Sequence, residues 1–355
     1  MSRRGTTVPT WARWSSARYA GLIVGLVGLL ILSLAIGVVI GSVGLSLGEV
    51  FAAVGARLHL VDGVDPATRH IVVNLRMPRV VTASAVGAGL AVAGAVLQSL
   101  TGNVLADPYL LGMSSGASVG AVVVLTTSLG SAATVGMGAV STAAFIGALG
   151  ALALVFAIAT TRSGALLPNR LILAGVAVAQ GGAAITSAIV YFGDRDAAAT
   201  VLRWTLGSVA GARWPSTILV AVTVTAVLAV VWLYARTLDA FAFGDRAASS
   251  LGVPVVATRW VLYLVVSLCT AVLVAQTGII GFVGLVIPHI ARAIVGPLHR
   301  RLLPATALIG AVLLVWTDIL ARTVLPGREL PLGLVTAIVG VPVFVWILRS
   351  HGAAA

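Results

Sequence analysis

Few side chains in this 355-residue sequence could perform chemistry, and their spacing limits what kind. His289 and His299 invite a metal-binding reading, yet no carboxylate or cysteine lies nearby in sequence to complete a ligand set. A structural or interfacial role is the default for such imidazoles, and no metal site is assigned. Cys269, the one cysteine, sits inside an apolar run, which excludes a disulfide framework and a thiolate cluster. The spacing shows no Ser/His/Asp set and no paired buried carboxylates, so no catalytic residue is assigned. All 22 basic residues are arginine. Without lysine no Walker A phosphate loop can form, so ATP hydrolysis would have to come from another chain. Asp318 and Arg322 do have a productive spacing: four apart on a helix, they share a face and can pair.

The elements that hold these residues are set by composition. Hydrophobic residues make up 59% of the chain, charged ones 9%, and mean hydropathy is +1.11, values of an all-α polytopic membrane protein. A span needs about 20 mostly apolar residues, so there is room for roughly ten. Apolar runs at 20–43, 80–98, 112–129, 137–160, 170–191, 215–235, 256–276, 279–295, 304–321 and 331–348 supply them. The net charge of +12 could suggest nucleic acid, but the arginines stand singly at run ends, where they anchor helices in a membrane. Residues 1–19 carry Arg3, Arg4, Arg13 and Arg18 ahead of a run too long for a signal-peptide core. That places both termini in the cytoplasm, with 1–19 as a tail. No internal repeat is visible, and 1–355 reads as a single transmembrane domain.

Residues 75–120 organise the rest. Arg76 and Arg79 flank Met77-Pro78, and a small-residue helix follows in which Ala83, Gly87, Ala91 and Ala95 form a row for close helix contact. The connector 101–108 must turn, because it holds Gly102, Asn103 and Asp107-Pro108. Ser114 and Ser115 are candidate caps for the next helix. A short amphipathic segment is expected within 47–60, and 194–213 is too short and polar-flanked to span, so it reads as a surface or re-entrant helix. In 237–254, Gly244 breaks the chain, Asp245 can cap a short helix, and Gly252 with Pro254 stops it, giving two short cytoplasmic helices at an angle. Gly281, Gly284 and Pro288 make the eighth span short and kinked, and Pro331 opens the last one.

Three groups have both a bland and a functional reading. Arg76, Arg79 and Arg322 are either snorkelling anchors or an outer cationic collar that docks an acidic partner. The 244–252 helix is either an interfacial helix or an insert for a protein groove. Asn103 and Leu105 are either turn residues or a constriction at the cytoplasmic mouth, with Pro168 and Asn169 as its counterpart.

The segments LRMPRVVTA, GAGLAVAGAVLQ, NVLADPYLLGMSSGAS, GDRAASSLGV, GFVGLVIPHIAR, TDILAR and ELPLGLVTAIVGVPVFVWIL resemble, in order from about residue 70 to 348, the FecCD-type permease family. Its members are membrane subunits of ABC importers for ferric siderophores, haem and vitamin B12. The resemblance implies a type II importer fold with two permeases, identical or paralogous, two cytoplasmic ATPases that bind ATP and Mg, and an outer binding lipoprotein. It makes Arg76, Arg79 and Arg322 docking residues. It makes 238–253 the coupling helices, with Gly244, Asp245, Arg246, Ala248, Leu251 and Gly252 at the ATPase. Asn103, Leu105, Pro168 and Asn169 become the cytoplasmic gate, with spans five and ten along the pathway. Val104 stands where the family usually has proline.

The expected function is therefore the permease subunit of an iron(III)-siderophore importer in the cytoplasmic membrane, with haem or cobalamin as alternative cargo. A proton-coupled secondary transporter would need membrane-embedded carboxylates, and only Asp318 comes close.

Overall fold

In lipid every backbone N–H must find its acceptor within its own segment, so long apolar runs fold as helices. The computed structural model, which describes residues 15–41, 44–57, 63–126, 137–193, 195–325 and 327–352, is helical nearly throughout. In chain order the helices are α1 (Ser16–Val39), α2 (Leu47–Arg57), α3 (Pro66–His70), α4 (Met77–Thr101), α5 (Met113–Thr126), α6 (Met137–Ala159), α7 (Pro168–Phe192) and α8 (Arg195–Thr205). They continue with α9 (Trp214–Leu233), α10 (Ala235–Phe241), α11 (Asp245–Ser250), α12 (Val255–Thr277), α13 (Val283–Val295), α14 (His299–Thr323) and α15 (Leu332–Gly352). Each of the ten expected apolar runs overlaps a helix, with 42–43 and 127–129 lying outside the described residues. Among the described residues seven helices are long and apolar enough to cross a membrane, and α5, α13 and α15 are shorter apolar helices. Residues 1–14, and with them most of the expected N-terminal tail, lie outside the described residues.

Several boundaries differ from expectation for physical reasons. A π-helical turn (Ile71–Arg76) fuses α3 to α4 in one 36-residue helix from Pro66 to Thr101. At 1.5 Å per residue it is about 54 Å long, well beyond the ~30 Å of a bilayer core. Its first turns, with Arg69, His70 and Asn74, therefore project past the apolar layer. Helix α14 starts at His299 rather than Pro304, because Asp239 accepts a hydrogen bond from the His299 N–H at 2.8 Å. Ser114 and Ser115 sit inside the first turn of α5 instead of capping it, and the Ser115 hydroxyl donates to Gly112 O at 2.8 Å. Helix α15 begins just after Pro331.

Helix α4 is the axis of the bundle. Every residue from 86 to 98 is buried, surrounded by α14, α13, α9 and α12. Gly87 and Ala91 of the expected small-residue row pack on α14, and Gly94, outside that row, packs on α13. A Cβ on Gly87 would overlap the carbonyl oxygen of Gly310 on α14, and one on Gly94 would overlap that of Gly284 on α13. These helices meet backbone to backbone.

The non-helical stretch 206–213 satisfies its backbone on helix ends. Ser208 N donates to Thr277 O at 2.7 Å, Leu332 N to Gly207 O at 3.0 Å and Gly333 N to Leu206 O at 2.9 Å. These bonds spare the segment the cost of unpaired peptide groups.

Replacing Gly94 with valine forces α4 from α13. Overpacking of this kind costs about 1–3 kcal/mol or more, so Gly94→Val should lower the thermal midpoint in detergent. Gly150→Ala, where an added Cβ meets nothing within 4 Å and alanine is the better helix former, should not lower it.

Candidate functional site

The functional side chains cluster at the two ends of α4. At its N-terminal end, Asp318 of α14 is fully buried, with 0% exposure, and receives two guanidiniums. Arg79 Nε lies 2.9 Å from Asp318 Oδ1, and Arg322 approaches Oδ2 at 3.3 Å. Arg79 also reaches Glu329 at 2.9 Å. The last turn of α1 leaves carbonyls without helical partners. Arg322 donates to Gly37 O at 2.8 Å, and Arg76 to Val38 O and Val39 O at 3.0 and 2.7 Å. Cations at a helix C-terminus also suit its dipole.

The pairing of Asp318 with Arg322 is as the spacing predicts; the second partner, Arg79, 239 residues from Asp318, is not legible in sequence. Arg76 and Arg322, expected at an outer collar, are only 6% and 7% exposed and hold α1, α4 and α14 together. The exposed edge of the cluster is Glu329, with Arg79 partly accessible beside it.

At the other end, three successive residues of α4 each engage a different element. Gln98 takes a hydrogen bond from Arg292 of α13 and donates to Gly284 O at 3.3 Å. The Ser99 hydroxyl lies 2.7 Å from His299 Nε2, and His299 Nδ1 lies 2.6 Å from Asp239 Oδ1 on α10. Leu100 O accepts from Arg259 NH2 at 3.3 Å. Arg259 in turn grips Asp245 of α11 with contacts of 2.7 and 2.8 Å and stacks over the Phe241 ring.

Three sequence expectations are corrected here. His299 does have a carboxylate beside it, supplied by Asp239 from 60 residues away. A Ser99–His299–Asp239 set also forms, although none could be read from spacing. Its serine lies within a helix and is turned onto Ala95 O at 2.9 Å, so the set acts as a tie between helices. Asp245 does not cap α11 with its side chain; it is committed to Arg259.

Helices α10 and α11 form the expected elbow, with Gly244 and Gly252 both at φ +84°. Ala248 is fully buried by its own chain. The surface that the elbow offers comes instead from Phe243 and Leu251, 77% and 70% exposed, together with Arg246.

In the connector after α4, Gly102 adopts φ +62°. Asn103 Oδ1 then accepts from the Leu105 N–H at 2.9 Å, the side-chain turn typical of asparagine. Val104 and Leu105 project outward. Pro168 is the first residue of α7, and Asn169 follows it, exposed. The next turn (Pro108–Leu111) begins at Asp107, whose carboxylate accepts from Tyr109 N at 2.9 Å. Burial pushes the Asp107 carboxyl up to about 6, against the effect of that hydrogen bond. A cavity of about 680 Å³ at the opposite end, lined by Arg203, Trp204, Ser208, Arg213 and Gln276 among others, had no signature in the sequence. Among the described residues no cluster of three metal-ligating side chains forms.

A buried helix bundle with a charged clamp at one end and a two-helix elbow at the other is the architecture of a transport permease. The sequence model of the FecCD transport family matches residues 29–350. The chain belongs to that family. It is 40% identical to the vitamin B12 import system permease protein BtuC of Vibrio vulnificus, over 91% of this chain and 95% of that protein. It is 39% identical to the Fe(3+) dicitrate transport system permease protein FecD of Escherichia coli K12, over 79% of this chain and 85% of FecD. A solved inward-facing structure described as a metal-chelate type ABC transporter superposes with a TM-score of 0.81 at 29% identity, covering 94% of this chain and all of that one. The protein is thus an inner-membrane permease subunit of an ABC importer and not the ATPase. Subunits of this kind work with ATPase and substrate-binding partners.

Two predictions follow from the geometry. Asp318→Ala leaves two guanidiniums without their carboxylate and should cost about 3–5 kcal/mol, whereas Glu329→Gln at the exposed edge should cost no more than about 1 kcal/mol. Thermal unfolding of both variants in detergent tests this order. The raised Asp107 carboxyl favours the fold below its ordinary range, near pH 4. That contribution is lost as pH rises through about 6. The wild-type midpoint should therefore fall across this window relative to Asp107→Asn, which lacks the titrating group.

Proposed function

We propose that this chain carries an iron(III)-siderophore complex across the inner membrane. In this reading two such permeases form the pathway at their interface, with α7 and α15 along it. Two ATPases supply ATP and Mg, and an outer binding protein delivers the cargo. The observation that carries the proposal is the common chemistry of the relatives: cobalamin, ferric dicitrate and metal chelates are all bulky metal complexes. Such cargo calls for a wide conduit with weak contacts. The unpartnered apolar faces of α7 and α15, including Leu173, Val176, Ile338 and Val339, suit the wall of one. The identity with BtuC favours cobalamin as the second reading.

Ten spans with both termini in the cytoplasm put the elbow and the Asn103 turn on the inner side. Phe243, Arg246 and Leu251 then face the ATPase, with Gly244 and Gly252 setting the angle of the elbow and Asp245 and Ala248 fixing it to the bundle. Asn103, Leu105, Pro168 and Asn169 border the exit. The outer ends of α4 and α14 form the docking region, with Arg79 and Glu329 at its edge and Arg76 and Arg322 fixing the helix ends beneath. ATP-driven closure of the ATPases moves the elbow and rocks the helices between discrete packings. Proton coupling through Asp318 is disfavoured, because both of its oxygens are engaged by Arg79 and Arg322.

Uptake of labelled ferric siderophore, haemin and cobalamin by a strain lacking this gene tests the cargo. Loss of siderophore uptake, restored by the cloned gene, is expected. Intact siderophore uptake with loss of cobalamin uptake would transfer the assignment to the second reading.

A further inference from the structure

The elbow is not joined to the exit turn by chain connectivity, since α10 and α11 lie well over a hundred residues from Asn103. It is joined by side chains, and by two routes that converge on adjacent residues. From α10, Asp239 accepts from the His299 backbone N–H at 2.8 Å and lies 2.6 Å from its ring Nδ1; His299 Nε2 meets Ser99 at 2.7 Å. From α11, Asp245 holds Arg259 in a two-point contact, and Arg259 meets Leu100 O at 3.3 Å. Ser99 and Leu100 are followed at once by Gly102 in the left-handed region and by the Asn103 turn. Both routes run through charged or ring groups that bury well over half their surface: Arg259 is 7% exposed and His299 5%.

Directional bonds in such a setting hold geometry better than apolar contact, because breaking one strands a buried polar group. The ring bridges α10 and α4 through its two nitrogens, Nδ1 at Asp239 and Nε2 at Ser99. Helix α4 cannot absorb a pull at this end by sliding, since its glycine contacts with α13 and α14 leave no gap. A displacement of the elbow is therefore carried through Ser99 and Leu100 to the Gly102–Asn103 turn that follows them.

We infer that Asp239–His299–Ser99 and Asp245–Arg259–Leu100 are paired tie-rods that transmit movement of the elbow to the exit turn, with His299 and Arg259 as positioning residues for transport. The inference rests on the proposed reading of the elbow as the ATPase contact.

The test uses the whole transporter, permease with its ATPase and binding protein, reconstituted in liposomes. It reads ATP hydrolysed per ferric siderophore imported. Ser99→Ala removes only the α4 end of one rod and leaves Asp239 on the α14 N-terminus. It should raise that ratio roughly three- to tenfold, the range that one hydrogen bond is worth, and Ser99→Thr should restore it. His299→Gln should add little in the Ser99→Ala background, because the two act through one tie. A Leu251→Cys cross-link to the ATPase reports the elbow contact separately. If that cross-link forms while Ser99→Ala leaves the ratio unchanged, or lowers hydrolysis and import in proportion, the rods are refuted and the elbow reading stands. If no cross-link forms in the assembled transporter, the elbow reading fails and takes the rods with it.

Discussion

The backbone contacts of α4 with α13 and α14 are the constraint on which the rest of the protein depends. Lipid supplies no hydrophobic drive for helix association, so close approach and internal satisfaction of polar groups must hold a membrane bundle together. Gly87 against Gly310 and Gly94 against Gly284 bring peptide groups into direct contact. A helix seated this way is fixed in rotation as well as position. Only then can residues at its two ends be aimed with hydrogen-bond accuracy.

Each end uses that rigidity differently. The Asp318 end is closed: two arginines share one buried carboxylate, and two arginines finish the carbonyls of α1. Such a cluster is costly to bury and costly to break, so it fixes the mutual register of α1, α4 and α14. The other end is open. Its polar groups reach outward to the elbow, whose Phe243 and Leu251 stay exposed among the described residues. A rod anchored at one end and tethered to a lever at the other suits a permease that must convert a push into a change of opening.

What could be read from sequence was whatever depends on neighbours in sequence. Apolar run length gave the helices, Gly244 and Gly252 the elbow, Gly102 and Asn103 the turn, and the four-residue spacing the Asp318–Arg322 pair. Contacts made by folding were invisible. His299 looked isolated because Asp239 and Ser99 lie 60 and 200 residues away. Arg76 and Arg322 read as surface charge because nothing local shows that α1 ends beside them. Asp245 read as a cap because its partner Arg259 belongs to the next helix. The apolar run points to a start of α14 at Pro304, because the cap at His299 comes from another element. In each case a local default gave way to a tertiary partner.

In this mechanism elbow and exit turn move as one body on a rigid α4. Spin labels at the exposed positions Leu251 and Val104 of one chain would measure the separation directly in the assembled transporter, with and without ATP. A single distance distribution that does not move when ATP binds is expected, while labels at Val104 in the two permeases change their separation. A Leu251–Val104 distance that shifts or splits with ATP would show that the elbow moves independently of the turn, and would contradict the account.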